Sequence, residues 1–338
     1  MGRVLPAIPQ WRDVDVTSFQ RDIVPLNKPA VLKGLAVDWP AVREGARSSA
    51  ALAAYIKRFD AGKPAQTLVG PSSIKGRFFY KDGDLRNLNF VFRQEPIGAV
   101  IDWLLAHENA ADQPAIAIQS VPLPDYLPGF AKENATCLPP PSAIPRVWIG
   151  NSVTVSTHFD FNYNIACVVA GHRRFTLFPP EQLPNLYIGP LEHTPAGPPT
   201  SMVLLEEPDF TRYPRFEYAL DAAMQAELEP GDAIYIPYMW WHHVKSLDGF
   251  NLLVNYWWND ATAPLSSPFN CLVHALLTLK SLPRDQRAVW RTMFDHYVFG
   301  TNGDPAAHLD PADRGVLGTL SPELVKQMQS ILLRSLNR

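Results

Sequence analysis

Apolar side chains recur at Ile97, Val100, Ile101 and Leu104, the spacing of one helix face, which predicts a helix from Pro96 to His107. Upstream, the same reading gives helices from Val16 to Val24 and from Ser48 to Phe59, separated by the β-rich segment PAVLKGL at Pro29 to Leu35. The period changes between about Ala115 and Trp258. RVWIG, NIACVVAG, RRFTLF, AIYIP and NLLVNYWW are short, β-branched or aromatic, and bounded by Gly, Pro or Asn, so they predict strands of a sandwich or barrel. After Ala263 helical spacing returns, with Phe269, Leu272, Val273, Leu276 and Leu277 on one stripe. A last helix is predicted from Ser321 as N-cap with Pro322 in the first turn, carrying Leu324, Met328, Ile331 and Leu332 on one face. The expected fold is mainly β with flanking helices: a domain over residues 1–262 with an N-terminal helical and β elaboration, then a C-terminal helical extension over 263–338. That extension must bury its apolar stripes on the β domain or against a second copy.

Composition narrows the class without naming a partner. The 338 residues are 46% hydrophobic and 19% charged, which fits a folded chain with a sizeable core. Thirty lysines and arginines against 33 acids leave a net charge of -3, so no basic field favours nucleic acid or an anionic membrane. Cys137, Cys167 and Cys271 are too few and too scattered for a disulfide framework or a zinc knuckle. No apolar run has the length of a membrane span, and the opening MGRVLPAIPQWRDVDV lacks a signal-peptide core, so a soluble cytoplasmic protein is the expectation.

Three segments carry candidate chemistry. TVSTHFD, Thr154 to Asp160, alternates like a strand, so His158 and Asp160 fall on one face and can reach one metal ion. PGDAIYIPYMWWHHVKSL, Pro230 to Leu247, delivers His242 and His243 on a later β-type segment after two tryptophans. Two histidines and one carboxylate around a metal with open positions form the facial triad of non-haem iron(II) oxygenases. In RRFTLF, Arg173 shares strand parity with Phe175 and Leu177 and points inward, where a guanidinium needs an anion such as a carboxylate; Arg174 has the opposite parity.

WIGNSVTVSTHFDFNYNIACVVAGHRRFTLFPPEQL, followed by PGDAIYIPYMWWHHVKSL and NLLVNYWW, resembles the cupin-like JmjC oxygenases, and within them the asparaginyl hydroxylase pattern. The resemblance implies a double-stranded β-helix (cupin or jelly-roll) core, an Fe(II) ion, 2-oxoglutarate as co-substrate and O2. Residue by residue, it implies His158, Asp160 and His242 as iron ligands, with His242 preferred to His243 because it directly follows the tryptophan pair. It further implies Asn164, Asn255 and Trp257 as pocket residues, and Arg173 where many relatives place a lysine for the distal carboxylate. Two positions depart from the pattern. Val155 replaces a hydroxyl residue three before His158, and AIAIQ lacks an upstream tyrosine for which Tyr80 is a stand-in.

The function this implies is hydroxylation of a C–H bond on a protein or peptide side chain. A small-molecule hydroxylase and a non-catalytic cupin-type sensor are the alternatives. The resemblance also implies a homodimer through the C-terminal helices, and the proline-rich loop from Ile188 to Thr200 is expected to face substrate.

Overall fold

A computed structural model describes residues 3–110, 112–195, 197–259 and 267–336. They divide into two units, Met1–Asn259 and Asp260–Arg338. The boundary expected at 262/263 lies outside the described residues.

In the first unit seven strands precede residue 97: β1 (Gln10–Trp11), β2 (Ala30–Leu32), β3 (Pro64–Gly70), β4 (Arg77–Phe78), β5 (Tyr80–Lys81), β6 (Asp84–Leu88) and β7 (Val91–Pro96). Nine follow: β8 (Ala115–Pro122), β9 (Pro145–Gly150), β10 (Thr154–His158), β11 (Tyr163–Ala170), β12 (Arg173–Phe178), β13 (Met224–Leu228), β14 (Ala233–Ile236), β15 (Trp241–Ser246) and β16 (Asn251–Trp258). A nine-stranded sheet has the order β1-β2-β14-β11-β16-β9-β8-β3-β7, and a five-stranded sheet the order β13-β12-β15-β10-β4. Of the seven early strands only β2 was legible as a strand. Val16 to Val24 forms an irregular helix instead of a regular one: α1 (Val16–Ser18) runs into a π-helical turn over Phe19–Ile23 and a 3-10 turn over Val24–Leu26 that carries Pro25 and ends at left-handed Asn27.

The continuous apolar run of β11 follows from burial on both faces. Its Ile165, Cys167 and Val169 join the core that the large sheet shares with Leu52 and Ile56 of α3 (Ser49–Lys57) and with Val100, Ile101 and Leu104 of α4 (Ile97–His107). Its Ala166 and Val168 face the other way, into a core with Phe175, Leu177, Ile234 and Leu253 between the two sheets. The functional cavity opens within this inter-sheet space.

Gly171 makes the crossing from β11 to β12 possible. It takes φ +70°, in the left-handed region that glycine enters without the steric penalty of a Cβ. An added Cβ would lie 2.2 Å from Asn251 Oδ1 and 2.8 Å from the Phe250 carbonyl. Gly171→Ala is therefore expected to lower stability by about 2–4 kcal/mol, read as a reduced urea midpoint. An unchanged midpoint would mean that this turn can relax freely.

The first unit also carries α2 (Pro40–Arg47), α5 (Leu123–Tyr126), α6 (Phe130–Glu133) and α7 (Phe216–Asp221), and the second unit contains α8 (Pro268–Leu279), α9 (Arg284–Tyr297) and α10 (Pro322–Leu336). Ser267 caps the first, and Ser321 Oγ accepts from the Leu324 N–H at 3.3 Å at the start of the third. Leu272, Leu276 and Leu277 on α8 and Ile331, Leu332 and Leu333 on α10 are exposed. Among the described residues no helix is long and apolar enough to cross a membrane.

Candidate metal centre and carboxylate pocket

Strand β10 pairs with β15, but its register is not continuous. Val155 lies opposite Val244 and His158 opposite His242, so three steps on β10 match two on β15. This bulge corrects the simple alternation expected for TVSTHFD. Val155 and His158 both line the inter-sheet cavity, whereas Ser156 Oγ accepts from Arg77 Nε at 3.3 Å. Asp160 sits beyond the end of the strand and lines the same cavity.

His158, Asp160 and His242 each offer a ligand atom within 4.8 Å of the other two. The imidazole rings of His158 and His242 have centroids 4.2 Å apart, and His242 Nε2 is 3.4 Å from Asp160 Oδ2. Each histidine is oriented in the same way from two residues upstream. His158 Nδ1 lies 2.9 Å from the Ser156 carbonyl, and His242 Nδ1 lies 3.0 Å from the Trp240 carbonyl. A carbonyl can only accept, so both Nδ1 atoms carry the proton and both Nε2 lone pairs are left for a cation. Burial, reinforced by His242, holds His158 down at about 4, so it is neutral and able to ligate. Burial raises the Asp160 carboxyl, but His242, His158 and the indole of Trp257 outweigh it and the net shift is downward. Two imidazoles that turn Nε2 to the cavity and one carboxylate, with no fourth protein ligand among the described residues, suit a divalent metal that keeps open positions.

Neighbouring side chains hold this set rigid. Phe159 and Trp241, which alternate with the three residues, meet edge to face at 4.8 Å and pack with Phe178 at the end of β12 and with Leu186, Val203 and Phe216 from the segment between β12 and β13. His243 points the other way. Its Nε2 is 3.8 Å from Glu206 Oε1, and it lines a separate groove with Thr176, Gln225 and Lys245.

The cavity, about 50 Å³, has apolar walls from Val155, Ala166, Phe175, Ile236, Val244 and Leu253. Arg173 enters it from β12. Its side chain is buried, its Nε–H has no partner, and among the described residues it makes no ion pair. Burial alone pushes its guanidinium down to about 10. Arg174, in contrast, is exposed and paired with Glu227 at 3.0 Å. A desolvated guanidinium without a counter-ion is costly unless an anion enters. A dicarboxylate with one end at Arg173 and the other at the metal-competent triad meets that need.

Asn164, Asn255 and Trp257 also line the cavity. So does Trp148, which the sequence pattern did not single out; its only signal was strand parity in RVWIG. Tyr80 does not replace the missing tyrosine, because its hydroxyl donates to the His193 carbonyl at 2.6 Å and it is not among the lining residues. No described residue of the loop from Ile188 to Thr200 lines the cavity, and Ala196 lies outside the described residues.

Two sheets enclosing an inward-facing His-x-Asp and a distant histidine define a cupin, and the chain belongs to the cupin-like domain family, whose model matches residues 16–263. Several of its relatives are JmjC proteins. It is 27% identical over 256 residues to Jumonji C domain-containing protein 5 of Drosophila melanogaster, covering 74% of this chain and 59% of that one. It is 26% identical to the human bifunctional peptidase and (3S)-lysyl hydroxylase JMJD7, covering 71% of this chain and 80% of that one. It is also 26% identical to tRNA wybutosine-synthesizing protein 5 of Gallus gallus, over 83% of this chain and 90% of that one. The chain thus spans about three fifths of the Drosophila relative and most of the other two.

Proposed function

We propose that this chain is an Fe(II)- and 2-oxoglutarate-dependent oxygenase that hydroxylates a C–H bond of a protein or peptide side chain. The observation that carries this reading is the buried, unpaired guanidinium of Arg173 opening on the same cavity as His158, Asp160 and His242. The three side chains would hold the metal, and Arg173 would take the distal carboxylate of 2-oxoglutarate in a charge-assisted pair. When bound, these groups and O2 supply the oxidising power for hydroxylation, with succinate and CO2 as co-products.

The protein's own part is placement. The Ser156 and Trp240 carbonyls aim the imidazoles, and Trp257 faces the Asp160 carboxylate. The apolar walls keep water from the carboxylate pair, which strengthens it. A hydrolase using the same metal set would need a general base, and Asp160 is the one carboxylate among the described lining residues.

A protein substrate is favoured by the name of the human relative, a lysyl hydroxylase. The chicken relative's name points to tRNA, but a net charge of -3 provides no phosphate-binding footprint here. Incubation with Fe(II), 2-oxoglutarate and pooled peptides should release succinate and add one oxygen to a peptide, both read by mass spectrometry. Absence of succinate from every pool would count against the reading.

The exposed stripe on α10 supports a second part of the proposal, a homodimer through the C-terminal helices, with Leu324, Met328, Ile331 and Leu332 at or beneath the interface. Light scattering should give a dimer for the wild type and a folded monomer for Met328→Glu, Leu332→Glu. A wild type that is monomeric at micromolar concentration would remove the dimer.

A further inference from the structure

Amide side chains can present either a donor or an acceptor to a ligand, and some neighbour must decide which. An indole N–H can only donate. Trp148 Nε1 donates to Asn255 Oδ1 at 2.8 Å, so the Asn255 amide is fixed with its oxygen toward the indole and its NH2 group turned away. That group donates in turn to Asn164 Oδ1 at 3.2 Å. The Asn164 oxygen is thereby used, and its own NH2 group has no protein partner among the described residues while the side chain lines the cavity. Asn164 and Asn255 are both buried, at 5% and 1% exposure, so bulk water cannot easily re-satisfy a reversed amide.

We propose that Trp148 is a positioning residue that sets the polarity of the Asn255–Asn164 amide pair, so that the cavity receives an N–H donor suited to an oxyanion. The register supports this one-way order. Trp148 on β9 lies opposite Leu253 on β16, Asn255 lies opposite Ala166 on β11, and Asn164 lies opposite Trp257; Leu253, Asn255 and Trp257 have one parity, so Trp148, Asn255 and Asn164 share the inner face of the large sheet. Reversal of the chain would leave the indole N–H facing an NH2 group. The proposal rests on the 2-oxoglutarate reading and specifies how its acceptor atoms are recognised.

The test is calorimetric titration with Mn(II) and then 2-oxoglutarate, with no turnover required. Trp148→Phe keeps an aromatic ring but removes the donor. It should weaken 2-oxoglutarate about tenfold while Mn(II) affinity stays at the wild-type value and the protein remains folded. Asn255→Ala should weaken it at least as much, and the double variant should be no weaker than Asn255→Ala alone, because Trp148 acts through Asn255. Unchanged 2-oxoglutarate affinity in Trp148→Phe would overturn the proposal. Additive losses, or a parallel loss of Mn(II) affinity, would assign Trp148 a packing role and overturn it as well. A wild type that binds Mn(II) but not 2-oxoglutarate would instead overturn the functional reading beneath it.

Discussion

Replacing His242 by alanine abolishes metal-dependent turnover of 2-oxoglutarate, whereas replacing the adjacent His243 leaves most of it; this is the largest effect expected of any single substitution. The two side chains emerge on opposite faces of β15. His242 lines the cavity, has its Nδ1 proton held by the Trp240 carbonyl and sits 3.4 Å from Asp160, while His243 faces Glu206 across the outer groove. Changes in residues that merely support metal ligands cost roughly 10- to 100-fold, so loss of a ligand itself should exceed about a hundredfold. Coupled succinate assays on both variants, with Mn(II) binding measured alongside, check the assignment. A dispensable His242 with an essential His243 would move the third ligand by one residue, and equal tolerance of both would remove the triad.

Arg173→Ala should raise the 2-oxoglutarate concentration required for turnover by about 30-fold or more, from the roughly 2–5 kcal/mol cost of losing one partner of a desolvated charged pair. Metal affinity should stay as it was, and Arg174→Ala, which removes only an exposed pair with Glu227, should change little. A sign difference sharpens the test. Without ligand, the wild type buries an unpaired charge, so Arg173→Met should be at least as stable as wild type in the absence of 2-oxoglutarate and should gain less melting temperature from adding it. Equal 2-oxoglutarate affinity in the Arg173 variants would place the distal carboxylate elsewhere.

What could be read from the chain was governed by burial. Strands β11, β12, β14 and β16 have strong apolar patterns because the sheet faces they serve are covered, and helix α4 shows its core face at Ile97, Val100, Ile101 and Leu104 for the same reason. Strands β6 and β7 lack such a signal. DLRNL and VFRQEP are mostly exposed; β6 pairs with the adjacent β5 and β7 with the earlier β3, and no buried stripe marks either pairing in the sequence. The inward direction of Arg173 followed from parity alone. The direction of Val155 did not, because the bulge between Val155 and His158 resets the alternation, and a bulge leaves no trace in a pattern of apolar and polar positions. Trp148 was hidden for a different reason: its importance lies in a hydrogen bond to Asn255, 107 residues away, and not in its own neighbourhood.

The most direct measurement is anaerobic addition of 2-oxoglutarate to the Fe(II)-loaded protein, followed in the visible spectrum. A weak charge-transfer band should grow with 2-oxoglutarate to saturation, be absent with Zn(II) in place of Fe(II), and require much more 2-oxoglutarate in Arg173→Ala. Fe(II) binding with no band at any 2-oxoglutarate concentration would contradict the chelate on which this account depends.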